Sequence, residues 1–149
     1  MNLSEVKNLT ISLGSDHGGF KYKEAIKEHL LSLGAKVLDE GCYDEQSCDY
    51  PIFAKKAAND VSTNKADFGI LVCTSGEGIS IAANKVSGIR CGIGYNDVVT
   101  AKLREHNNAN MISFGQAYMK LEDVLRRVDI FLTTSFSTEE KHIRRVKQI

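Results

Sequence analysis

Five short, mainly apolar segments alternate along the chain with longer amphipathic ones, and this alternation limits the possible folds more than any other feature. The short segments are "LTISLG", "KVLDEG", "FGILVC", "IRCGIGY" and "NMISFG". "FGILVC" is apolar without a break, as expected of a strand that is covered on both faces. Repeated alternation of strand and helix predicts an α/β protein with a parallel sheet and helices on both faces.

The segments between the predicted strands carry apolar residues at helical spacing. They are "KYKEAIKEHLLSLG", "IFAKKAANDV", "ISIAANKV", "DVVTAKLREH", "LEDVLRRVDIFL" and "STEEKHIRRVKQI". Pro51 is expected to open the second helix and Asp97 to cap the fourth. Ser137 or Thr138 is expected to cap the last. His29 falls on the apolar side of the first helix, which indicates a structural role.

Length and charge narrow the class of protein. With 149 residues, a single domain spanning 1–149 is expected, with residues 1–8 as a loose tail. The 19 basic and 19 acidic residues balance to zero formal charge, which argues against nucleic acid or an anionic membrane as the main partner. No apolar run approaches the roughly 20 residues of a membrane helix, and "MNLSEVKNLT" lacks the apolar core of a signal peptide. We therefore expect a soluble cytoplasmic protein.

The four cysteines do not form a metal or disulfide pattern. Cys42, Cys48, Cys73 and Cys91 include no Cys-x-x-Cys pair and no dense framework. Cys91 is expected to be a small buried hydrophobic residue, and Cys42 and Cys48 to be incidental thiols in a polar loop. No second cluster has ligand spacing, so the sequence predicts no metal site.

The stretch "LVCTSGEGISIAANK" from Leu71 to Lys85 places a thiol and two hydroxyls between a predicted strand and a predicted helix. Gly76 and Gly78 permit backbone conformations in which successive amide N–H groups converge on one point. The start of the following helix adds about half a positive charge, so the loop suits a phosphate or a developing oxyanion. The same field favours a thiolate at Cys73. A tight turn with an inert thiol is the alternative.

Three further segments carry candidate chemistry. "GSDHGG" follows the first strand, "REHNNAN" follows the helix after the fourth strand, and "EEKHIRRVK" lies near the end. Asp16 and His17 suit an acid–base pair or, more weakly, a metal site. Lys141 and Arg145 lie one helical turn apart, although a solvated charged helix is the usual interpretation of such a run. Ligands of parallel α/β sheets bind beyond the carboxyl ends of the strands, which directs attention to the loops after strands one, three and four.

Several segments occur in an order typical of one enzyme family. They are "SDHGG" (15–19), "DYP" (49–51), "SIAANKVSGIR" (80–90), "REHNNAN" (104–110) and "HIRRV" (142–146). Over nearly its whole length the sequence resembles the ribose-5-phosphate isomerase B family, which also contains the galactose-6-phosphate isomerase subunits. The resemblance implies a three-layer α/β/α sandwich with a five-stranded parallel, Rossmann-like sheet, a homodimer or homotetramer, and neither metal nor other cofactor. It implies aldose–ketose isomerisation of a sugar phosphate through an enediol, most simply ribose 5-phosphate to ribulose 5-phosphate.

The resemblance also implies roles for individual residues. Cys73 is the base that moves a proton between C1 and C2, Ser75 helps to move one between O1 and O2, and His106 is the acid that opens the sugar ring. Asp16, His17 and Asn107 are implied to contact hydroxyls of the substrate. The loop amides of Thr74, Gly76, Glu77 and Gly78 are implied to hold the enediolate. Lys141 and Arg145 are implied to bind the phosphate, and Tyr50 in "DYP" is a further implied substrate contact.

Two departures from the family pattern concern different ends of the substrate. The usual loop begins Cys-Gly-Thr-Gly, whereas this one begins Cys-Thr-Ser-Gly and keeps the thiol and a hydroxyl two residues later. In "FGQAYM", Ala117 stands where the family has a phosphate-binding arginine, and Lys141 replaces a second. Lysine is a point charge and cannot make the bidentate contacts of arginine. The proton-transfer groups are therefore expected to be intact and the phosphate end altered.

Three alternatives remain open at this point. In the first alternative, which Ala117 and Lys141 suggest, the substrate is a tetrose phosphate, a hexose phosphate or another pentose phosphate. In the second alternative, the chain is a sugar-phosphate-binding subunit that requires a partner chain. The joint retention of Cys73, Ser75 and His106 counts against this alternative. A flavodoxin-like binding module fits the composition, but the segment-by-segment match counts against it.

Overall fold

The five predicted strands form one parallel sheet in the computed structural model, which describes all residues from Met1 to Ile149. The sheet order is β2–β1–β3–β5–β4. The strands are β1 (Thr10–Ser15), β2 (Lys36–Asp39), β3 (Phe68–Cys73), β4 (Cys91–Ile93) and β5 (Met111–Gly115). Together with the helices on both faces, this confirms the predicted three-layer α/β/α fold.

Six α-helices cover the sheet, with a separate hydrophobic core under each layer. They are α1 (Phe20–Ser32), α2 (Tyr50–Ser62), α3 (Glu77–Asn84), α4 (Asp97–Asn107), α5 (Leu121–Thr133) and α6 (Glu140–Val146). Ile70 and Val72 face the core beneath α1 and α5, whereas Leu71 and Cys73 face the core beneath α2 and α3. Successive strand residues point to opposite faces, so a strand covered on both sides needs an unbroken apolar run.

The beginning of the chain is folded, contrary to the expectation of a loose tail for residues 1–8. Leu3–Asn8 form a 3₁₀ helix that begins at Asn2, whose side chain accepts a hydrogen bond from the Ser4 amide. Val6 is completely buried in the core beneath α1 and α5. Burial of this one apolar side chain fixes a segment whose composition is otherwise polar.

Two predicted helix caps lie elsewhere. Asn96, not Asp97, caps α4, because its side chain accepts from the amides of Val98 and Val99 at 2.8 and 3.2 Å. Asp97 instead pairs with Arg126 and Arg127 of α5. Helix α6 begins after Glu139, and neither Ser137 nor Thr138 is its cap residue. The Ser137 hydroxyl accepts from the Glu139 amide at 3.0 Å, so it shapes the turn that precedes the helix.

Of three other expectations, those for Pro51 and His29 are confirmed and that for Cys42 is wrong. Pro51 lies in the first turn of α2, as predicted. His29 has the expected structural role, since its Nε2 lies 2.8 Å from Asp129 of α5. Cys42 is only 4% exposed and its sulfur contacts the Ser15 hydroxyl at 3.8 Å, so it is a packed residue rather than an incidental loop thiol.

The direction of the strands gives the molecule two distinct edges. At the carboxyl edge, where the strands end, lie the loops after Ser15, Cys73 and Gly115. At the amino edge, where they begin, lie the ends of the returning helices, including the end of α4 at Asn107. None of the helices has the length and apolar character needed to cross a membrane.

Candidate active site

The loop after β3 holds an amide against the sulfur of Cys73. Cys73 is the last residue of β3 and is 5% exposed, and the Gly76 amide donates to its Sγ at 3.1 Å. Gly76 has a φ of +84°, and a Cβ there would lie 2.8 Å from the Phe114 carbonyl carbon. The Ser113 hydroxyl holds this backbone by donating to the Gly76 carbonyl at 2.8 Å. This hydrogen bond holds the Cys73 sulfur beside the start of α3.

Ser75 lies between this amide and the start of α3. Its half-buried hydroxyl accepts from the Glu77 amide at 3.2 Å. Two of the amides expected to hold an enediolate, those of Gly76 and Glu77, therefore already donate to side chains within the loop. The loop thus orients a thiol and a hydroxyl beside the start of a helix, where negative charge is stabilised.

The loop after β1 touches the loop after β3. Asp16 is 6% exposed, and its Oδ1 accepts from the Gly19 amide at 3.1 Å. The exposed His17 ring accepts at Nδ1 from the Cys48 amide at 3.2 Å, which leaves the proton of the neutral ring on Nε2. A Cβ on Gly18 would lie 2.2 Å from the Thr74 hydroxyl oxygen. The structure therefore brings Asp16 and His17 next to the loop that follows Cys73.

Tyr50 and Ala117 complete the surroundings of this loop. Tyr50 begins α2, and a Cβ on Gly78 would lie 2.8 Å from its ring, so the two residues are packed together. The Ala117 amide donates to the Thr74 carbonyl at 3.1 Å, which places the altered phosphate position directly against the loop.

A cavity of about 580 Å³ opens beside this loop. It is lined by Ser75, Glu77, Ile93, Tyr95, Tyr118 and Met119. Its volume falls within the roughly 300 to 1,000 Å³ of typical small-molecule sites. We call the predicted site residues at this edge the carboxyl-edge cluster: Asp16, His17, Tyr50, Cys73, Thr74, Ser75, Gly76, Glu77 and Gly78.

The remaining predicted residues lie at the amino edge. His106 and Asn107 end α4, where Arg104 covers the ring of Phe68, the first residue of β3, at 4.9 Å. The Ser137 amide donates to the Glu105 carbonyl at 2.9 Å and leads α6 onto the end of α4. Lys141 and Arg145 are exposed on α6. We call His106, Asn107, Lys141 and Arg145 the amino-edge cluster.

One chain does not bring the two clusters together. Strand β3 lies between Phe68 and Cys73, and six strand residues span roughly 17 Å. The Cys73 sulfur and the His106 ring therefore lie at opposite edges of the same sheet. The predicted single site is split into two parts within each chain.

One further residue, His142, lies at this edge, and no role for it was predicted from the sequence. The ring of His142 stacks on that of His106, with centroids 4.1 Å apart and planes 10° from parallel. Burial, with a smaller contribution from His106, lowers the pKa of His142. The only sequence signal was its position inside "HIRRV". No group of three or more His, Cys, Asp or Glu side chains is arranged to hold a metal ion.

Comparison with known proteins agrees with this geometry. The family described as "Ribose/Galactose Isomerase" matches residues 11–149. Ribose-5-phosphate isomerase B of Mycobacterium tuberculosis is 38% identical over 143 residues, covering 95% of this chain and 88% of the relative. Galactose-6-phosphate isomerase subunit LacB of Clostridium acetobutylicum is also 38% identical, over 95% of this chain and 82% of its own length.

A solved structure gives the same result. The crystal structure of a ribose 5-phosphate isomerase from Thermotoga maritima superposes with a TM-score of 0.91. It is 41% identical, with 94% of this chain and 96% of that chain covered. Sequence and structure agree over nearly the full length of both molecules, so this chain belongs to the ribose/galactose isomerase family.

Proposed function

We propose that this protein interconverts an aldose phosphate and a ketose phosphate, with ribose 5-phosphate and ribulose 5-phosphate as the pair. The observation that carries the proposal is the 3.1 Å hydrogen bond from the Gly76 amide to the sulfur of Cys73, beside the Ser75 hydroxyl. A base must be held within reach of the proton that it removes, and the Gly76 amide fixes the position of the sulfur. The relatives named ribose-5-phosphate isomerase B support the choice of sugar.

In this reaction Cys73 takes the proton from C2 of the open aldose and returns it to C1. Ser75 transfers the hydroxyl proton between O1 and O2, so that the carbonyl moves from C1 to C2 while atoms and charge balance. The start of α3 and the loop amides other than those of Gly76 and Glu77 stabilise the negative oxygen of the enediolate. Beforehand, His106 gives a proton to the ring oxygen of the furanose form. The bond between that oxygen and C1 breaks, and the C1 hydroxyl releases its proton to solvent as it becomes the carbonyl.

The separation of the two clusters supports a homodimer with shared sites. His106 cannot reach a sugar held by Cys73 of its own chain, because the length of the sheet lies between them. A second copy that places its amino edge against this carboxyl edge supplies His106, Asn107, Lys141 and Arg145. The outer faces of α2 and α3 expose Ile52 and Ile81, 51% and 64% exposed, which suits burial against that copy.

A cytoplasmic location is part of the proposal. All four cysteines are free, as is usual for proteins of a reducing compartment.

Arg145 and Lys141 are expected to contribute unequally to phosphate binding. Arg145→Ala should raise KM about tenfold or more, because a charge-assisted hydrogen bond contributes roughly 1.5 to 3 kcal/mol. The phosphate is bound in both ground and transition states, so kcat should fall less than kcat/KM. Lys141→Ala should have a smaller effect, since its Nζ already lies 3.5 Å from the Glu139 carboxylate.

The neighbouring Arg144 provides the matched control for this measurement. It is exposed on the same helix and pairs with Glu140. Arg144→Ala should leave KM near the wild-type value. A KM that rises equally in the Arg144 and Arg145 variants would indicate a general charge effect rather than a phosphate contact.

A different sugar phosphate is the second candidate, favoured by the absence of a guanidinium at Ala117. Both candidate substrates are tested by measuring initial rates of the purified protein with aldose and ketose phosphates of four, five and six carbons. We expect ribose 5-phosphate to give the highest kcat/KM, and Ala117→Arg to lower its KM. Higher kcat/KM on another sugar, with no gain on ribose 5-phosphate from Ala117→Arg, would favour the second candidate. No turnover with any sugar would favour a binding subunit that needs a different partner chain.

A further inference from the structure

His142 is the buried ring that the proposed reaction leaves without a role. It lies on α6, is 9% exposed, and stacks almost parallel on His106 of α4. The stack holds the ring of His106 against α6. Without this partner, the half-buried His106 ring would lose a contact that restricts its choice of rotamer.

Charged groups surround the stack from both helices that form it. They are Lys102 and Glu105 on α4, and Lys141 and Arg145 on α6, with Glu139 at the start of α6. The Glu139 carboxylate lies 3.9 Å from Nε2 of His142, which is too long for a hydrogen bond. At stacking distance, positive charge on the His106 ring disfavours positive charge on His142.

We propose that His142 is a positioning residue that holds the His106 ring in the orientation needed to protonate the furanose oxygen. Burial lowers the pKa of His142, which favours its neutral form, so His142 offers the His106 ring a neutral aromatic face. The inference rests on the ring-opening role of His106. It assigns to α6 a part in ring opening in addition to the phosphate contact of Lys141 and Arg145.

The test separates ring opening from proton transfer by the direction of the reaction. Ribose 5-phosphate must open, whereas ribulose 5-phosphate is already open because its C5 hydroxyl carries the phosphate. His142→Ala should lower kcat from the ribose side by roughly tenfold, the upper range for one aromatic pair, and change kcat from the ribulose side less than twofold. His142→Phe keeps a flat ring without a titrating proton and should recover most of the lost rate.

The pH profile gives the readout that a merely structural residue would not affect. In His142→Phe the limb of the kcat profile that reports His106 should persist as a single step. Equal losses from both directions in His142→Ala, or no loss from either, would overturn the inference. A Phe variant as inactive as the Ala variant would also overturn it, since His142 would then transfer the proton itself.

His106→Ala in the same assay distinguishes failure of the positioning role of His142 from failure of the ring-opening role of His106. A loss confined to the ribose side supports the ring-opening role. If that selective loss occurs but His142→Ala shows none, only the positioning role fails. If His106→Ala loses activity equally in both directions, the ring-opening role fails and the positioning role fails with it.

Discussion

Replacing Cys73 by alanine is expected to lower kcat on the best substrate by about 10² to 10⁴, the usual effect of removing a positioned base. The reason is that Cys73 is the only thiol whose sulfur receives a backbone amide at the start of a helix, through Gly76. The loss should appear from both the aldose and the ketose side, because the enediolate is common to both directions. Initial rates of the purified variant, with its thermal unfolding midpoint, provide the measurement.

Cys91→Ala is the matched control for this substitution. Cys91 begins the edge strand β4, and burial raises the pKa of its thiol to about 12, so it stays uncharged near neutral pH. Its removal should leave kcat within about twofold of wild type. If Cys73→Ala retains wild-type kcat, Cys73 is not the base. Glu77, which is exposed in the first turn of α3, would then be the next carboxylate to test.

The sheet and the Cys73 loop were predictable because local chemistry determines them. The unbroken run in "FGILVC" reflects alternate side chains that enter two different cores, those of Ile70 and Leu71. The glycine at position 76 is required by the backbone conformation of the loop, because its positive φ is one that residues with side chains rarely adopt. Features of this kind depend on neighbours in sequence and are visible without knowledge of the tertiary structure.

Other features depended on contacts between distant segments. Val6 is ordered by a core to which the first residues contribute one side chain, and composition cannot show that contact. Asn96 and Asp97 are adjacent and are both good helix caps, so the choice between them was decided by the arginines of α5. The His106–His142 stack joins two helices separated by all of β5 and α5, and neither sequence segment predicts it.

The division of the site into two clusters was within reach of sequence reasoning. "REHNNAN" spans the end of a helix and precedes a strand, and such a junction returns the chain to the amino edge of a parallel sheet. The loops after β1 and β3 lie at the carboxyl edge. The resemblance places Cys73 and His106 in one site, whereas the topology places them at opposite edges of the sheet of one chain.

Mixing two inactive variants is expected to restore about a quarter of wild-type activity on ribose 5-phosphate, the clearest consequence of a shared site. In a dimer of one Cys73→Ala chain and one His106→Ala chain, one site combines both defects. The other site combines the intact Cys73 of one chain with the intact His106 of the other. Random exchange makes half of the dimers mixed, and each mixed dimer has one of its two sites intact.

The experiment uses both variants co-expressed with different affinity tags, so that mixed dimers are isolated by successive purification. These should show about half of wild-type activity per dimer, while each variant alone shows little from the ribose side. The matched control pairs a Cys73→Ala chain with a chain that carries both substitutions, in which no site is intact, and no recovery is expected. Recovery in the first pair and none in the control requires that residues at opposite edges of different chains act on one sugar. If the mixed dimer is no more active than its two parents, His106 and Cys73 do not complement each other across the interface, and the shared site is wrong even if each residue is essential.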